Sequence, residues 1–214
     1  MRSAARLSVA IVPTGTANTA SVRAAFTRLG VEARMVSGPT ALARAERVVL
    51  PGVGALEPAM GALRGKGIAS LLAERIDAGR PTLAICLGLQ LLGEGSDESP
   101  GAAALGCLPV RARKLPREVR VPHMGWNRVD PGDCDLLEPG DAYFAHSYAV
   151  SQAPAGWQAA TTSYPAPFVS ALQRGSVLAC QFHPELSGAW GARLLSRWLE
   201  RSLAAPCGAG GAVC

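Results

Sequence analysis

Pro81-Thr82-Leu83-Ala84-Ile85-Cys86-Leu87-Gly88-Leu89-Gln90-Leu91-Leu92 joins an apolar, strand-like run to a helix-like run, with a cysteine at the junction. A side chain at such a corner is lifted clear of the sheet. The amides that follow it are unpaired donors at the positive end of a helix, an environment that suits an anion. The arrangement is a cysteine version of the nucleophile elbow, with Gly88 two residues after the thiol and the small residue Ala84 two residues before it. The competing reading of the corner alone is an inert core thiol at a strand end.

A second group lies about a hundred residues on, in Ser176-Val177-Leu178-Ala179-Cys180-Gln181-Phe182-His183-Pro184-Glu185. Val177 to Phe182 reads as a strand, and His183 follows its end. Residues two apart in an extended segment face the same way, so Glu185 is expected to reach the His183 imidazole. Pro184 keeps the segment out of helix. The pair supplies a base and its orienter: His183 would take the thiol proton and return it to a leaving group, while Glu185 fixes the tautomer. Alone, a His-x-Glu is as readily a solvated loop pair. A third stretch, Val48-Val49-Leu50-Pro51-Gly52-Val53-Gly54, is a hydrophobic strand ending in a loop with two glycines. One of its amides, with the Leu87 amide, would form an oxyanion site; a plain strand-ending turn is the alternative.

Around these stretches, strands and helices alternate. Leu7 to Val12, Val31 to Val36 and Arg47 to Leu50 read as strands; Ser21 to Leu29, Glu57 to Leu63 and Ile68 to Ala78 read as helices. This pattern predicts a three-layer α/β fold, a mostly parallel central sheet flanked by helices, with reactive groups at the carboxyl ends of the strands. After about Leu105, Tyr143 to Val150, Trp157 to Thr161, Phe168 to Leu172 and Val177 to Phe182 add mostly antiparallel strands, and a helix from about Gly188 to Leu203 closes the chain. Residues 1–6 read as a flexible N-terminus and residues 204–214 as a disordered tail, leaving one domain over residues 7–203.

The 214 residues suffice for a full core, and 49% apolar with 17% charged residues describes a compact protein. No uninterrupted apolar stretch of about twenty residues is present, and the start lacks a secretory signal, so the expected location is the cytoplasm with no membrane contact. The six cysteines form no C-x-x-C pair, which argues against zinc, and a reducing compartment argues against disulfides. The net charge of +5 is modest. Arg111, Arg113, Lys114, Arg117 and Arg120 form a basic cluster without interleaved aromatics, read as a solvated face or a rim for an acidic partner and not as a nucleic-acid site.

Taken together, the Cys86 elbow with Gln90 four residues later, the Pro51-Gly52-Val53-Gly54 loop and Phe182-His183-Pro184-Glu185 resemble the class I (triad) glutamine amidotransferases. Pro122-His123-Met124-Gly125-Trp126-Asn127 and Tyr143-Phe144-Ala145-His146-Ser147-Tyr148 resemble one branch, the HisH-type glutaminase subunits of imidazole glycerol phosphate synthase. The similarity runs from about Leu7 to Leu203. It implies a flavodoxin-like fold, a glutamine amidotransferase type-1 domain, and a Cys86, His183, Glu185 triad that releases ammonia from glutamine through a glutamyl thioester. It further implies oxyanion and substrate contacts from Gly52, Val53, Leu87, Gln90, Tyr143, Ser147 and Tyr148, with no cofactor and no metal. The implied partner is the (β/α)8-barrel cyclase subunit of the synthase, in a heterodimer that channels ammonia, with Asn18, His123, Met124, Trp126 and Asn127 facing it. Met and Trp are frequent anchors of partner surfaces, though both also serve as ordinary core residues. Neither His123 nor His146 has an acidic residue two positions on, so both are read as structural or interface residues. The chain departs from the family at Ala84, usually glycine, at Leu186, where relatives often carry Lys or Arg, and at Thr19, where an apolar residue is common. Competing readings are the glutaminase of an anthranilate or aminodeoxychorismate synthase and a binding module that keeps the fold without turnover.

Overall fold

The computed structural model describes residues 7–15 and 18–204, so the expectations for residues 1–6 and for all of the tail beyond Ala204 lie outside the described residues. In chain order the first half contains β1 (Ser8–Ile11), α1 (Thr19–Arg28), β2 (Glu32–Met35), α2 (Pro39–Arg44), β3 (Val48–Gly52), α3 (Leu56–Gly65), α4 (Ala69–Asp77), β4 (Thr82–Cys86) and α5 (Leu87–Leu92). The second half contains β5 (Gly95–Ser96), β6 (Arg111–Lys114), β7 (His123–Val129), β8 (Gly140–His146), β9 (Tyr148–Ala149), β10 (Gln158–Ser163), β11 (Pro167–Arg174), β12 (Val177–Cys180), a 3-10 turn (Pro184–Leu186) and α6 (Gly188–Ala204).

Seven strands form the central sheet in the order β10-β11-β12-β4-β3-β1-β2. From β12 to β2 all neighbours are parallel, while β11 pairs antiparallel with both β10 and β12. Every residue of β3, β4 and β12 is buried, the composition expected of parallel strands covered on both faces. Alternation divides them between two cores. Val49, Leu83 and Ile85 face α1 and α6 with Phe26, Leu194 and Trp198, whereas Val48, Leu50 and Ala84 face α3, α4 and α5 with Leu56, Met60, Leu72 and Leu89. The Trp198 indole is fully buried, meets Phe26 edge-on and donates to the Ser176 carbonyl at 3.0 Å, which seats α6 on the sheet.

The expected α/β architecture is the one observed, with local differences that include the unread short strands β5 and β6. The helix α2 was not read from the sequence, because its six residues carry too short an amphipathic pattern; Pro39 at its start presets the first turn. The strand β7 shows no legible alternation, because its exposed residues, Met124, Trp126 and Arg128, are partly apolar while His123, Gly125 and Asn127 take the inner face. It pairs antiparallel with β8 as a separate two-stranded unit, His123 opposite His146 and Trp126 opposite Tyr143. The expected strand over Tyr143 to Val150 is broken at Ser147 into β8 and β9, and β9 pairs with β6.

Candidate active site

The parallel register brings the ends of β3 and β4 level, Gly52 opposite Cys86, with β12 on the other side of β4 and Cys180 opposite Ile85. Cys86 is the one non-glycine residue with positive φ among the described residues, at +55°. That left-handed conformation costs an L-residue on the order of 1–3 kcal/mol and is typical of functional corners. It persists because both sides are packed: a Cβ on Gly88 would lie 2.1 Å from the Leu50 carbonyl oxygen, and one on Gly52 would lie 2.9 Å from the Leu87 Cβ. Only glycines let α5 sit this close to β3. Gly52 is thus a packing position beneath Leu87.

His183 reaches the elbow from beyond β12. Its Nδ1 lies 2.8 Å from Glu185 Oε1, and it sits close enough to Cys86 for that group to raise its pKa, while the Cys86 thiol itself donates to the Ala145 carbonyl at 3.8 Å. Burial by itself lowers the imidazolium pKa, but hydrogen bonding and charge from Cys86 and Glu185 outweigh it and raise the group to about 10. The expectation that an extended segment carries Glu185 is corrected. Residues Pro184–Leu186 form a 3-10 turn, in which Leu186 N bonds the His183 carbonyl, and the turn brings the carboxylate back onto the ring. The second Glu185 oxygen, Oε2, has no hydrogen-bond partner. The turn is clamped to β8: His183 N donates to the Tyr143 carbonyl, Tyr143 N donates to Ser187 Oγ, and Ser187 Oγ donates to the His183 carbonyl.

Cys86 opens onto a cleft of about 220 Å³, whose walls include Val53, Leu87, Gln90, Ser147 and Tyr148. Larger hollows, of about 340 Å³ beside Arg34 and Arg44 and about 360 Å³ beside Arg111 and Arg113, are lined by no cysteine or histidine. The other described thiols are poor candidates, because burial raises Cys107 to about 11, Cys134 to about 12 and Cys180 well above its ordinary value.

Two expected positions are held by other contacts. The Tyr143 backbone holds the His183 turn and its ring meets Trp126 edge-on. His123, expected on the partner surface, is 3% exposed, because its ring is stacked between Phe144 and Tyr164. Met124 and Trp126 are on the surface, 64% and 59% exposed, with Leu186 at 40%. Asn18 caps α1, accepting from Ser21 N at 3.3 Å, and Asn127 is half-buried with its amide on His123.

Three further side chains belong to this site. Gln181 Nε2 lies 3.6 Å from the Cys86 sulfur and accepts from Gln90 through its oxygen; the polar residue inside the apolar run Val177 to Phe182 was the available signal. Glu98 is the one carboxylate on the cleft wall, its pKa raised by partial burial against an opposing hydrogen bond with the Leu56 backbone. His146 also lines the cleft. Nothing local distinguishes these last two.

The family model for glutamine amidotransferase class-I matches residues 10–201. The imidazole glycerol phosphate synthase subunit HisH of Rhodopirellula baltica is 43% identical over 89% of this chain and 96% of its own length. That of Cutibacterium acnes is 42% identical over 90% and 96%. The chloroplastic hisHF synthase of Arabidopsis thaliana is 38% identical over 92% of this chain, which spans 35% of that protein. Among solved structures, a glutamine amidotransferase superposes with a TM-score of 0.75 at 21% identity, covering 91% of this chain and 98% of the other, which concerns the fold alone. With the elbow, the parallel sheet and similarity along nearly its whole length, the chain belongs to the class I glutamine amidotransferases, in the branch of the HisH subunits of imidazole glycerol phosphate synthase.

Proposed function

We propose that residues 7–203 act as one glutaminase domain, in which Cys86, His183 and Glu185 release ammonia from glutamine and pass it to a cyclase subunit. The cyclase uses it to make imidazole glycerol phosphate and an aminoimidazole carboxamide ribotide in histidine biosynthesis. The observation that supports this most is the buried His183–Glu185 pair beside Cys86, whose thiol opens onto the cleft. His183 takes the Cys86 proton, and the thiolate attacks the side-chain carboxamide carbon. The tetrahedral oxyanion is held by the Leu87 amide and an amide of the Pro51–Gly54 loop. His183 then protonates the leaving nitrogen, ammonia departs, and a glutamyl thioester remains. Water activated by His183 cleaves the thioester to glutamate, while Glu185 keeps the ring oriented throughout.

Gln90, Ser147 and Tyr148 orient the substrate, and Glu98 is suited to its ammonium group. Met124, Trp126 and Asn127 of β7, with Asn18 at the start of α1, face the cyclase. A closed route matters because ammonia at neutral pH is mostly protonated and poorly nucleophilic. The partners are glutamine and the cyclase, without nucleic acid or membrane, in the cytoplasm; no described helix is long and apolar enough to cross a membrane.

The test is ammonia release by the purified chain alone, with a cyclase, and with the cyclase and its ribonucleotide substrate. Release that rises sharply only in the full mixture is expected, and none in any mixture rejects the proposal. In the complex, Cys86→Ala is expected to lower glutamine-dependent synthesis by at least about 10⁴-fold while synthesis from ammonium salts persists. Undiminished use of glutamine by that variant would remove Cys86 as the nucleophile.

A further inference from the structure

A chain of hydrogen bonds outside the triad runs from β7 into the cleft. Asn127 Nδ2 lies 3.3 Å from His123 Nε2 and 3.1 Å from the Ser163 carbonyl. His123 Nδ1 lies 3.1 Å from His146 Nε2, and His146 Nδ1 lies 3.0 Å from the Tyr148 carbonyl. The same carbonyl accepts from Gln90 Nε2 at 3.2 Å.

The chemistry of the groups fixes the protons. A carbonyl only accepts, so His146 carries its proton on Nδ1. A neutral imidazole holds one proton, so His146 Nε2 accepts and His123 Nδ1 donates. His123 Nε2 must then accept, and the Asn127 amide is the donor that faces it. Burial keeps both rings neutral, lowering His123 to about 4 and His146 to about 3. Stacking of His123 on Phe144 and Tyr164, with centroids 4.8 and 3.9 Å away, prevents the ring from leaving this plane.

At the far end, Gln90 Nε2 donates both to the Tyr148 carbonyl and to Gln181 Oε1, which leaves Gln181 Nε2 to donate to the Cys86 sulfur. The Tyr148 carbonyl is therefore the junction at which the histidine chain meets the side chains that face substrate and nucleophile. If it shifts, Gln90 is free to rotate.

We infer that His123 and His146 are positioning residues that hold the Tyr148 carbonyl and the Gln90 amide for glutamine, with Asn127 on the outer strand setting the direction of the chain. The inference rests on the cleft binding glutamine, as proposed above. It makes β7, whose neighbouring Trp126 side chain is exposed, a strand through which a disturbance at the surface reaches the substrate wall.

The test has a spectroscopic and a kinetic arm. Nitrogen-15 spectra of histidine-labelled full-length chain, without substrate, are expected to give two neutral Nδ1–H rings at neutral pH, assigned by the signals that His123→Phe removes. An Nε2–H tautomer or a charged ring at either position overturns the inference. In the complex with cyclase, His123→Phe keeps the stacked shape but not the hydrogen bonds. It is expected to raise the KM for glutamine by about 5- to 30-fold, the loss of one to two buried hydrogen bonds, with ammonium-dependent synthesis unchanged. Lower thermal stability with an unchanged KM would mark His123 as merely structural and overturn the inference. Should that variant not fold, Asn127→Ala is expected to admit the Nε2–H form at His123 and to raise KM about threefold or more; an unchanged tautomer and KM overturn it equally. Absence of glutaminase activity in the wild-type complex would instead defeat the proposed function, and the spectra alone would then judge the hydrogen-bond chain.

Discussion

The three histidines of this chain, His123, His146 and His183, sit in environments that push them in opposite directions. His183 is raised to about 10 because burial disfavours its charged form by less than Cys86 and Glu185 favour it, so its contribution to stability is complete below about pH 6.5, its unfolded value, and is lost as pH rises through about 10. His123 and His146 are buried neutral and lowered to about 4 and about 3, so their contribution is complete above about pH 6.5 and is lost as pH falls toward those values. Stability is therefore expected to peak near neutrality. By pH 5, each neutral ring should have surrendered on the order of 2 kcal/mol. Denaturant unfolding at pH 7 and pH 5 checks this: the acid loss should be smaller in His123→Phe than in the wild type, and an equal loss would mean that His123 is not held neutral. A sequence reading ranks the three only by the residue two places on, which separates His183 from the others. It cannot see that His123 and His146, 23 positions apart, meet at 3.1 Å, because that contact is made by strand pairing.

At the scale of elements, the strand-turn-helix at Cys86 is legible because its signals are adjacent in the chain: an apolar run, a corner and a glycine. What the sequence leaves open is why Gly88 is needed. In the fold it is the close approach of α5 to β3, where a Cβ would collide with the Leu50 carbonyl. Gly88→Ala is therefore expected to push α5 off β3, destabilising the protein by about 1–3 kcal/mol and lowering glutaminase activity more than the stability loss explains. Denaturation and steady-state assays on the same preparation separate the two effects, and wild-type behaviour in both would contradict the packing argument. The less legible elements share a physical cause. The helix α2 is one and a half turns long, β7 is exposed on alternate residues, and the turn at Pro184–Leu186 is three residues long. None of them buries enough apolar surface to print a period on the sequence.

Across the whole molecule, the exposed large apolar side chains at Met124, Trp126 and Leu186 stand near one another at the β7 edge, where a Cβ on Gly188 would lie 3.8 Å from the Trp126 ring. Such a cluster suits a partner. Trp126→Ala is expected to weaken binding to the cyclase by about 30-fold or more, equivalent to about 2 kcal/mol, with the melting temperature of the isolated chain little changed; a calorimetric titration with unaltered affinity would take Trp126 out of the interface. The basic cluster is partly drawn into the fold, with Arg111 paired to Asp97 and the Ser96 carbonyl. By itself the sequence determined the alternating architecture, the elbow and the His-Pro-Glu segment, because each is written in neighbouring residues as periodicity, turn chemistry or spacing. That Gln181 meets the Cys86 sulfur, that His146 and Glu98 line the cleft, that His123 is interior and that Tyr143 braces the catalytic turn follow from tertiary contacts alone. Those contacts join residues as far as 95 positions apart, and they exist only once sheet order and register have brought the strand ends together.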